Sequence, residues 1–414
     1  MNQIVVFQFV IIFGILPSIQ LHGQTMFKVA TSEGYAEGTT GGVNDTVIVT
    51  TPSAFISAVS SSSSTMVIVS GSLNVGAVNV GSNKTIIGAD TSSTLIGNLL
   101  LNGVSNIIIQ NINIQNKLGV GSGDGIEANN GSSEIYVNKC TFIDCADGAF
   151  DIKNGSNNIT FSWCRFKYPT QKDHCFPNLI GHDDNNGYID KGKLKVTVHH
   201  NWYDIGCQQR MPRVRFGEVH VYNNYYGFMP TNPGSDYAIG VGVECSILVE
   251  NCYFDNIDIT WWEWTYSGIQ GSIEWRDLCL VKTKVASWAD NADLFDPPYE
   301  YILENECNIK DILTDDMYGA GNMQTDTNRI INNMVKIQNE NHLTIYPVPA
   351  KQHFSIKNFA GIAEIFLYDM RGSLIMTKEI LESEPVYLEY LPANVYIIKV
   401  VTRARTEILK LVIQ

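Results

Sequence analysis

Apolar and polar positions in the middle of the chain repeat as one eight-residue phrase. Each phrase has three residues of strand pattern, two mostly polar residues at its centre, and a short end that closes on an apolar or aromatic residue. The six phrases occupy residues 107–114, 135–142, 159–166, 196–203, 219–226 and 247–254. They recur roughly every 25 residues, a period typical of a solenoid in which each repeat forms one coil.

The centre of each phrase predicts a sharp bend between two short strands. The alternation on either side predicts that Ile, Val, Phe and Tyr side chains point inward and stack on their equivalents in the next coil. This pattern predicts a parallel β-helix. Asn201 and Asn224 share one position after the bend, and Cys140, Cys164 and Cys252 share it in other coils. We interpret these cysteines first as stacked core residues.

The two ends of the chain have a different pattern. An apolar run from Ile4 to Leu16 is too short to span a bilayer and predicts a signal peptide over residues 1–24. A buried N-terminal strand is the alternative. The β-helix is predicted over residues 25–324 and a polar linker over 325–342. Short alternating strands over residues 343–414 predict a small β-sandwich.

Composition narrows the possible functions. Hydrophobic residues make up 44% of the 414 positions and charged residues 17%, as expected of a chain that buries a large core. The net charge of −14 argues against a nucleic-acid-binding protein. An anionic substrate would need local positive charge. The cysteine count is nine, so at least one thiol lacks a partner within the chain, and no zinc-type spacing occurs.

Acidic residues precede two successive phrases. Asp124 and Glu127 lie before one phrase, and Asp147 and Asp151 lie before the next, so that Glu127 and Asp151 should share one column. Like charges on adjacent coils repel unless a cation lies between them, and oxygen ligands favour Ca²⁺. Solvated turn carboxylates are the alternative interpretation.

Basic residues form a second cluster. Pro212 fixes its own backbone angle, and Arg213 and Arg215 alternate along a strand, so they should share a face near Arg210. Three arginines in an acidic protein are suited to a carboxylate polymer, although an exposed set of salt bridges would give the same spacing. The repeat places them one coil after Asp151. His174 lies in a loop-like stretch that can reach the same groove.

The segment Val196–Tyr226, VTVHHNWYDIGCQQRMPRVRFGEVHVYNNYY, resembles the central signature of polysaccharide lyase family 1, the pectate and pectin lyases. Further similarity runs from about Phe27 to Asn322. The resemblance implies an all-β protein with a right-handed single-stranded parallel β-helix. It also implies Ca²⁺-assisted β-elimination of α-1,4-polygalacturonate, an anionic plant polysaccharide, to 4,5-unsaturated products.

The resemblance also implies roles for individual residues. Arg210 takes the position of the catalytic base and Arg215 that of the residue that binds the substrate carboxylate. Asp124, Asp147 and Asp151 match calcium ligands. Arg213 and His174 are further candidates for substrate binding.

The chain departs from the family pattern at several positions. Ser122 stands where the family has a second aspartate, and Phe176 where it has a substrate-binding lysine. These departures keep open a pectin lyase that acts on methylated pectin without calcium. A glycoside hydrolase with paired carboxylic acids is a second possibility, and a non-catalytic pectin-binding β-helix is a third. We expect a monomer with no membrane span and no nucleic-acid partner.

The C-terminal segment carries a second resemblance. Residues 343–350 (LTIYPVPA), 394–400 (NVYIIKV) and 410–414 (KLVIQ) resemble the C-terminal sorting domain of Bacteroidetes type IX secretion. The resemblance implies that secretion machinery recognises this domain and that the protein is secreted or held at the cell surface.

Overall fold

The computed structural model describes residues 29–170, 173–227, 237–286, 294–316, 318–322, 343–347, 350–357, 361–369, 373–388, 391–392, 394–402 and 406–413. The predicted signal peptide, residues 1–24, and the predicted linker, residues 325–342, lie outside the described residues. The chain divides into two compact units, Met1–Met323 and Gln324–Gln414.

The first unit is a parallel β-solenoid, as the repeat predicts. One wall, here called face 1, is a sheet of ten parallel strands whose spatial order follows the chain. Its strands are Asp45–Val49, Thr65–Val69, Lys84–Gly88, Ser105–Gln110, Ser133–Asn138, Asn157–Ser162, Lys195–His199, Glu218–Tyr222, Ser246–Glu250 and Ser272–Arg276.

A second sheet forms the other two walls. Face 2 follows the bend and comprises Asn113–Gln115, Thr141–Ile143, Arg165–Lys167, Trp202–Tyr203, Tyr225–Tyr226, Tyr253–Asp255 and Cys279–Val281. Face 3 closes each coil and comprises Ser72–Asn79, Thr94–Asn102, Ile126–Asn129, Phe150–Ile152, Leu179–Ile180, Arg213–Val214, Tyr237–Val241 and Ile259–Glu263. Strand Thr94–Asn102 pairs with a strand of face 2 and with a strand of face 3, and so joins the two faces in one sheet.

The bend between faces 1 and 2 has one backbone cause. The fifth residue of every phrase has a positive φ of 47–55°, the left-handed region that residues other than glycine seldom adopt. These residues are Asn111, Lys139, Trp163, His200, Asn223 and Asn251. The predicted bend is therefore confirmed in all six phrases.

The final residues of the phrases form one column in the core. Phe142 pairs in register with Phe166, Phe166 with Tyr203, Tyr203 with Tyr226, and Tyr226 with Phe254. Their rings stack with centroid distances of 5.0, 5.1, 5.0 and 4.3 Å. All five are buried. The predicted inward stacking is confirmed.

The position after the bend holds a second column, of small and amide side chains. Cys164 donates its backbone N–H to Asn201 Oδ1 at 2.9 Å, and Asn201 Nδ2 donates to Asn224 Oδ1 at 3.0 Å. Cys140, Cys164 and Cys252 are buried free thiols, as interpreted from the sequence. Within the described residues, the disulfide links Cys279 to Cys307.

Helical segments in the described part of the chain are few and short. Pro52–Ser60 is an α-helix whose N-terminus is capped by Thr51, and its buried Phe55 and Val59 pack against the first coils. The other α-helices are Gly187–Asp190 and Ile309–Leu313, and the 3₁₀-helices are Gly34–Ala36 and Glu306–Asn308. No helix among the described residues is both long and apolar enough to cross a membrane.

The first described residues run across the outside of face 1. The backbone N–H groups of Tyr35 and Ala36 donate to Thr197 Oγ1 and Thr160 Oγ1, at 2.9 and 3.1 Å. Thr160 Oγ1 in turn donates to the carbonyl of Glu33 at 2.7 Å. The segment is therefore tied to coils more than a hundred residues further along the chain.

The second unit consists of two antiparallel sheets around a separate core. One sheet comprises Thr344–Tyr346, His353–Lys357 and Val386–Tyr387. The other comprises Ile362–Tyr368, Leu374–Leu381, Val395–Thr402 and Thr406–Val412. Phe354, Ile365, Ile398 and Leu411 are among the buried side chains between them. This arrangement agrees with the predicted small β-sandwich.

The aromatic column gives a stability prediction. Phe166 stacks on a ring in each neighbouring coil, so Phe166→Ala should leave a cavity that the in-register strands cannot close. We expect a loss of about 3–5 kcal/mol in the free energy of unfolding, measured by denaturant titration. Leu118→Ala, at a residue 85% exposed, is the control and should change little. An equal effect of both variants would contradict the stacking argument.

Candidate functional site

The candidate site is a cleft along face 3. Strands Phe150–Ile152, Leu179–Ile180 and Arg213–Val214 are consecutive neighbours there. The loops that enter these strands from face 2 supply further side chains. The cleft has a volume of about 240 Å³ and is lined by Asp147, Asp151, Lys153, Leu179, His182, Arg210, Arg213 and Arg215.

The spacing between the acidic and basic residues differs from the sequence prediction. The arginines lie two coils after Asp151, not one, because strand Leu179–Ile180 intervenes. The segments that carry the carboxylates form the last part of the coil that begins with the preceding phrase. They are not the first part of the next coil. The two-residue strand Leu179–Ile180 was missed because it lies in a long polar stretch without the phrase pattern.

Arg210 occupies a constrained position at the rim of the cleft. Its φ is 60°, in the left-handed region, and the side chain is half-buried. The guanidinium carbon lies 4.7 Å from the centre of the Phe176 ring. The position at which the family has lysine therefore supplies an aromatic surface for Arg210. Among the described residues, Nε of Arg210 has no hydrogen-bond partner.

Arg215 is hydrogen-bonded within the protein through two of its nitrogens. It is buried, and its Nε donates to Asp184 Oδ1 at 2.6 Å while Nη1 donates to the carbonyl of Gly181 at 3.0 Å. Asp184 Oδ2 also accepts the backbone N–H groups of Tyr266 and Ser267, at 2.7 and 3.3 Å. Burial raises the pKa of Asp184, but Arg215 and these N–H groups lower it overall.

Arg213 has a different environment. It is 5% exposed, and its guanidinium carbon lies 4.9 Å from the centre of the Trp264 ring and 5.6 Å from that of Tyr266. Its Nε and Nη2 have no hydrogen-bond partner in the described part of the chain. Burial lowers the pKa of Arg213, and the positive charges of Arg215 and Arg210 lower it further.

The acidic residues surround one lysine. Asp151 pairs in register with Glu127, so the predicted common column is confirmed. Lys153 Nζ lies 3.4 Å from Asp124, 3.3 Å from Glu127 and 3.8 Å from Asp151. Burial would lower the pKa of Lys153, but the three carboxylates raise it overall. One ammonium group thus faces three carboxylates.

This acidic group has the donor chemistry of a Ca²⁺ site. Burial raises the pKa of Asp124 and of Asp151, and the nearby Lys153 offsets this only in part. One oxygen of each approaches Gly148 so closely that a Cβ atom at that glycine would collide with both. Asp124 and Asp151 therefore fit Ca²⁺ by donor type, burial and charge, whereas the half-exposed Asp147 fits by donor type and charge.

Asp147 is turned toward a histidine. His174 Nε2 lies 2.8 Å from Asp147 Oδ1, and this close contact lowers the pKa of the carboxyl. The described residues contain no group of three acidic, histidine or cysteine side chains already gathered for a metal. His174 is thereby placed beside the acidic end of the cleft, and its ring packs 4.0 Å from Phe176.

Some site residues were not identified from the sequence. Lys153 had a signal, since it lies two residues after Asp151 and therefore on the same side of the strand. Asp184 and Tyr266 had none, because their contact joins residues 82 positions apart. Sequence spacing identified which arginines cluster but not which one has an internal partner.

Comparison with known families gives two matches. A pectate lyase family model matches residues 8–263, more than half of the chain. The model of a secretion system C-terminal sorting domain matches residues 344–414. A sorting domain of this kind points to an exported or cell-surface protein.

Curated relatives match the β-helix in part. A pectate trisaccharide-lyase from Thermotoga sp. (strain RQ2) is 40% identical over 157 residues, which cover 36% of this chain and 41% of the relative. Pectate lyase E from Dickeya chrysanthemi is 36% identical over 207 residues, or 43% of this chain and 52% of the relative. The chain thus spans about half of the length of these relatives.

Solved structures match over more of the chain. The pectate lyase of Bacillus sp. N165 in complex with trigalacturonate has a TM-score of 0.60 and 25% identity, and the match covers 70% of this chain and 98% of that one. The cedar pollen allergen jun a 1 has a TM-score of 0.56 and 22% identity, covering 70% and 92%. The second likeness concerns the fold alone.

The buried carboxylates give a pH-dependent prediction. Without Ca²⁺, Asp151→Asn should raise the free energy of unfolding at neutral pH by about 1–3 kcal/mol, because it removes a buried charge. Since the folded-state pKa is raised, the wild type loses stability as pH rises through it. Below the unfolded value of about 3.9 the two proteins should differ little. Thermal unfolding between acidic and neutral pH measures this.

Asp316→Asn, at an exposed carboxylate, is the control and should not change stability with this pH dependence. If Asp151→Asn instead destabilised the protein at neutral pH, Lys153 would compensate the carboxylates fully, and the interpretation of the acidic group as undercompensated would be wrong.

Proposed function

This protein belongs to the pectate lyase family, and on that premise we propose that it is an exported pectate lyase. The proposed substrate is α-1,4-polygalacturonate. The proposed reaction is Ca²⁺-assisted β-elimination, which releases oligogalacturonates with a 4,5-unsaturated end. We propose that the enzyme acts as a monomer.

One observation carries the proposal. Arg210, Arg213 and Arg215 line the same cleft as Asp147 and Asp151. A paired-carboxylate hydrolase would have no need of three arginines beside its acids. An anionic polymer that meets a chain of net charge −14 needs such a local concentration of positive charge to bind.

Substrate positioning is assigned to the basic side of the cleft. Arg215 is held in one orientation by Asp184 and Gly181, so its charge is fixed before the substrate arrives. Arg213 and His174 are proposed as further substrate-binding residues. His174 lies against Asp147, which places a partly exposed imidazole at the acidic end of the cleft.

Arg210 is proposed as the base that removes the C5 proton. Arg210 takes the proton, the electron pair of the C–H bond forms the C4–C5 double bond, the bond from C4 to the glycosidic oxygen breaks, and that oxygen takes up a proton from water. Arginine is normally protonated, so this step requires a neutral side chain at least transiently.

The metal is assigned to the acidic side. Asp124, Asp147 and Asp151 would hold Ca²⁺, which when bound supplies positive charge that stabilises the developing anion at the uronate carboxylate. These three residues supply oxygen ligands, and Lys153 supplies the only positive charge that lies among Asp124, Glu127 and Asp151 in the described part of the cleft.

The base assignment gives a kinetic prediction. Arg210→Lys keeps a positive side chain but changes its reach and hydrogen-bond geometry. We expect kcat on polygalacturonate to fall by about a hundredfold or more, the usual contribution of a positioned base. The ultraviolet absorbance of the unsaturated product measures the rate. Full activity of Arg210→Lys at neutral pH would show that another group is the base.

Calcium dependence gives a separate prediction. Product absorbance should grow with Ca²⁺ and stop when a chelator is added, then return when Ca²⁺ is restored in excess. A pectin lyase acting on methylated pectin would be unaffected by the chelator. Phe176 and the lysine among the carboxylates are the features that favour this alternative. A hydrolase would release reducing ends without ultraviolet absorbance, and a non-catalytic pectin-binding protein would release neither.

A further inference from the structure

Two adjacent arginines of the cleft differ in what they can still bind. Arg215 has its Nε and Nη1 hydrogen-bonded to Asp184 and Gly181. Arg213 is equally buried, but the described residues offer its Nε and Nη2 no hydrogen-bond partner. A buried guanidinium without a hydrogen-bonded anion is unfavourable unless a ligand supplies one. Arg213 therefore brings to the cleft a buried positive charge with two donors that no described residue occupies.

The surroundings of Arg213 provide a second contact surface. Trp264 and Tyr266 lie against its guanidinium at 4.9 and 5.6 Å. Tyr266 is 71% exposed, so much of its ring is free to meet a ligand. An aromatic ring beside a cation suits a sugar acid, because the apolar side of the pyranose ring can pack on the aromatic ring while the carboxylate pairs with the arginine.

The aromatic segment is held in place by the partner of Arg215. Asp184 accepts the backbone N–H groups of Tyr266 and Ser267 on one oxygen while its other oxygen binds Arg215. Its side chain is 6% exposed. Tyr266 thus projects from a fixed backbone, which reduces the entropy lost when a ligand packs on it.

Arg213 and its two aromatic neighbours lie some distance along the cleft from the acidic end. The strand of Arg213 lies two strands from that of Asp151. Neighbouring strands are about 4.8 Å apart, so the two residues are roughly 10 Å apart along the solenoid axis. A polymer that carries a carboxylate on every ring can therefore engage both ends of the cleft at once.

We propose that Arg213, Trp264 and Tyr266 form a separate uronate subsite. It binds the carboxylate of a sugar residue other than the one attacked, and Tyr266 packs on the ring of that sugar. This inference rests on the proposed function, since it assumes a polyuronate in the cleft. It assigns to Arg213 the recognition of unesterified sugar acids.

Arg213→Gln and Tyr266→Ala test the subsite by the split between KM and kcat. Removal of a charged hydrogen bond predicts a rise in KM for polygalacturonate of about tenfold to a hundredfold in Arg213→Gln, with kcat changed much less. Tyr266→Ala should raise KM about threefold to tenfold. On highly methylated pectin, where the carboxylate charge is masked, Arg213→Gln and the wild type should have similar KM values.

Tyr318→Ala is the matched control, since Tyr318 is 72% exposed and does not line the cleft; its KM should equal that of the wild type. Circular dichroism checks that Arg213→Gln is folded. If it is not, Tyr266→Ala, a change at an exposed side chain, decides alone. An active wild type with unchanged KM in Tyr266→Ala, or a folded Arg213→Gln that loses only kcat, would overturn the subsite. A wild type that releases no unsaturated product would instead overturn the proposed function.

Discussion

The in-register pairing of successive coils is the constraint on which the site depends. Each strand of face 3 is hydrogen-bonded to the strand before it and to the strand after it. Equivalent side chains in successive coils are therefore about 4.8 Å apart along the cleft. The left-handed residue in the fifth position of each phrase sets where the chain turns. The column of stacked aromatic rings then aligns each coil with its neighbours. The distance from Asp151 to Arg213 follows from this spacing, because both residues lie on strands of face 3.

The cleft has two charged ends, and each contains one internal counter-ion. Lys153 faces the carboxylates at the acidic end, and Asp184 binds Arg215 at the basic end. Neither counter-ion neutralises its end completely. Asp124 and Asp151 keep raised pKa values, and Arg213 keeps unpaired donors among the described residues. The uncompensated charge that remains is of the sign required for a divalent cation at one end and a uronate at the other.

Much of the fold could be predicted because its information is local and repeated. The phrase pattern predicts the bend, the inward column and the shared position of Asn201 and Asn224, and the structure has all three. The exact count of coils across the cleft could not be predicted, because strand Leu179–Ile180 has only two residues and no periodicity to reveal it. Asp184 could not be predicted as the partner of Arg215 either. It lies in a loop that the repeat does not describe, as does Tyr266, which Asp184 also contacts.

The N-terminal segment across face 1 has a consequence for the order of folding. Tyr35 and Ala36 bond to Thr197 and Thr160, which belong to coils that follow much later in the chain. Their acceptors have no fixed position until those coils have stacked. The residues synthesised early are therefore among the last to reach their native contacts. Folding that proceeds coil by coil from the N-terminus therefore cannot complete the contacts of this segment with face 1 until the middle coils are in place.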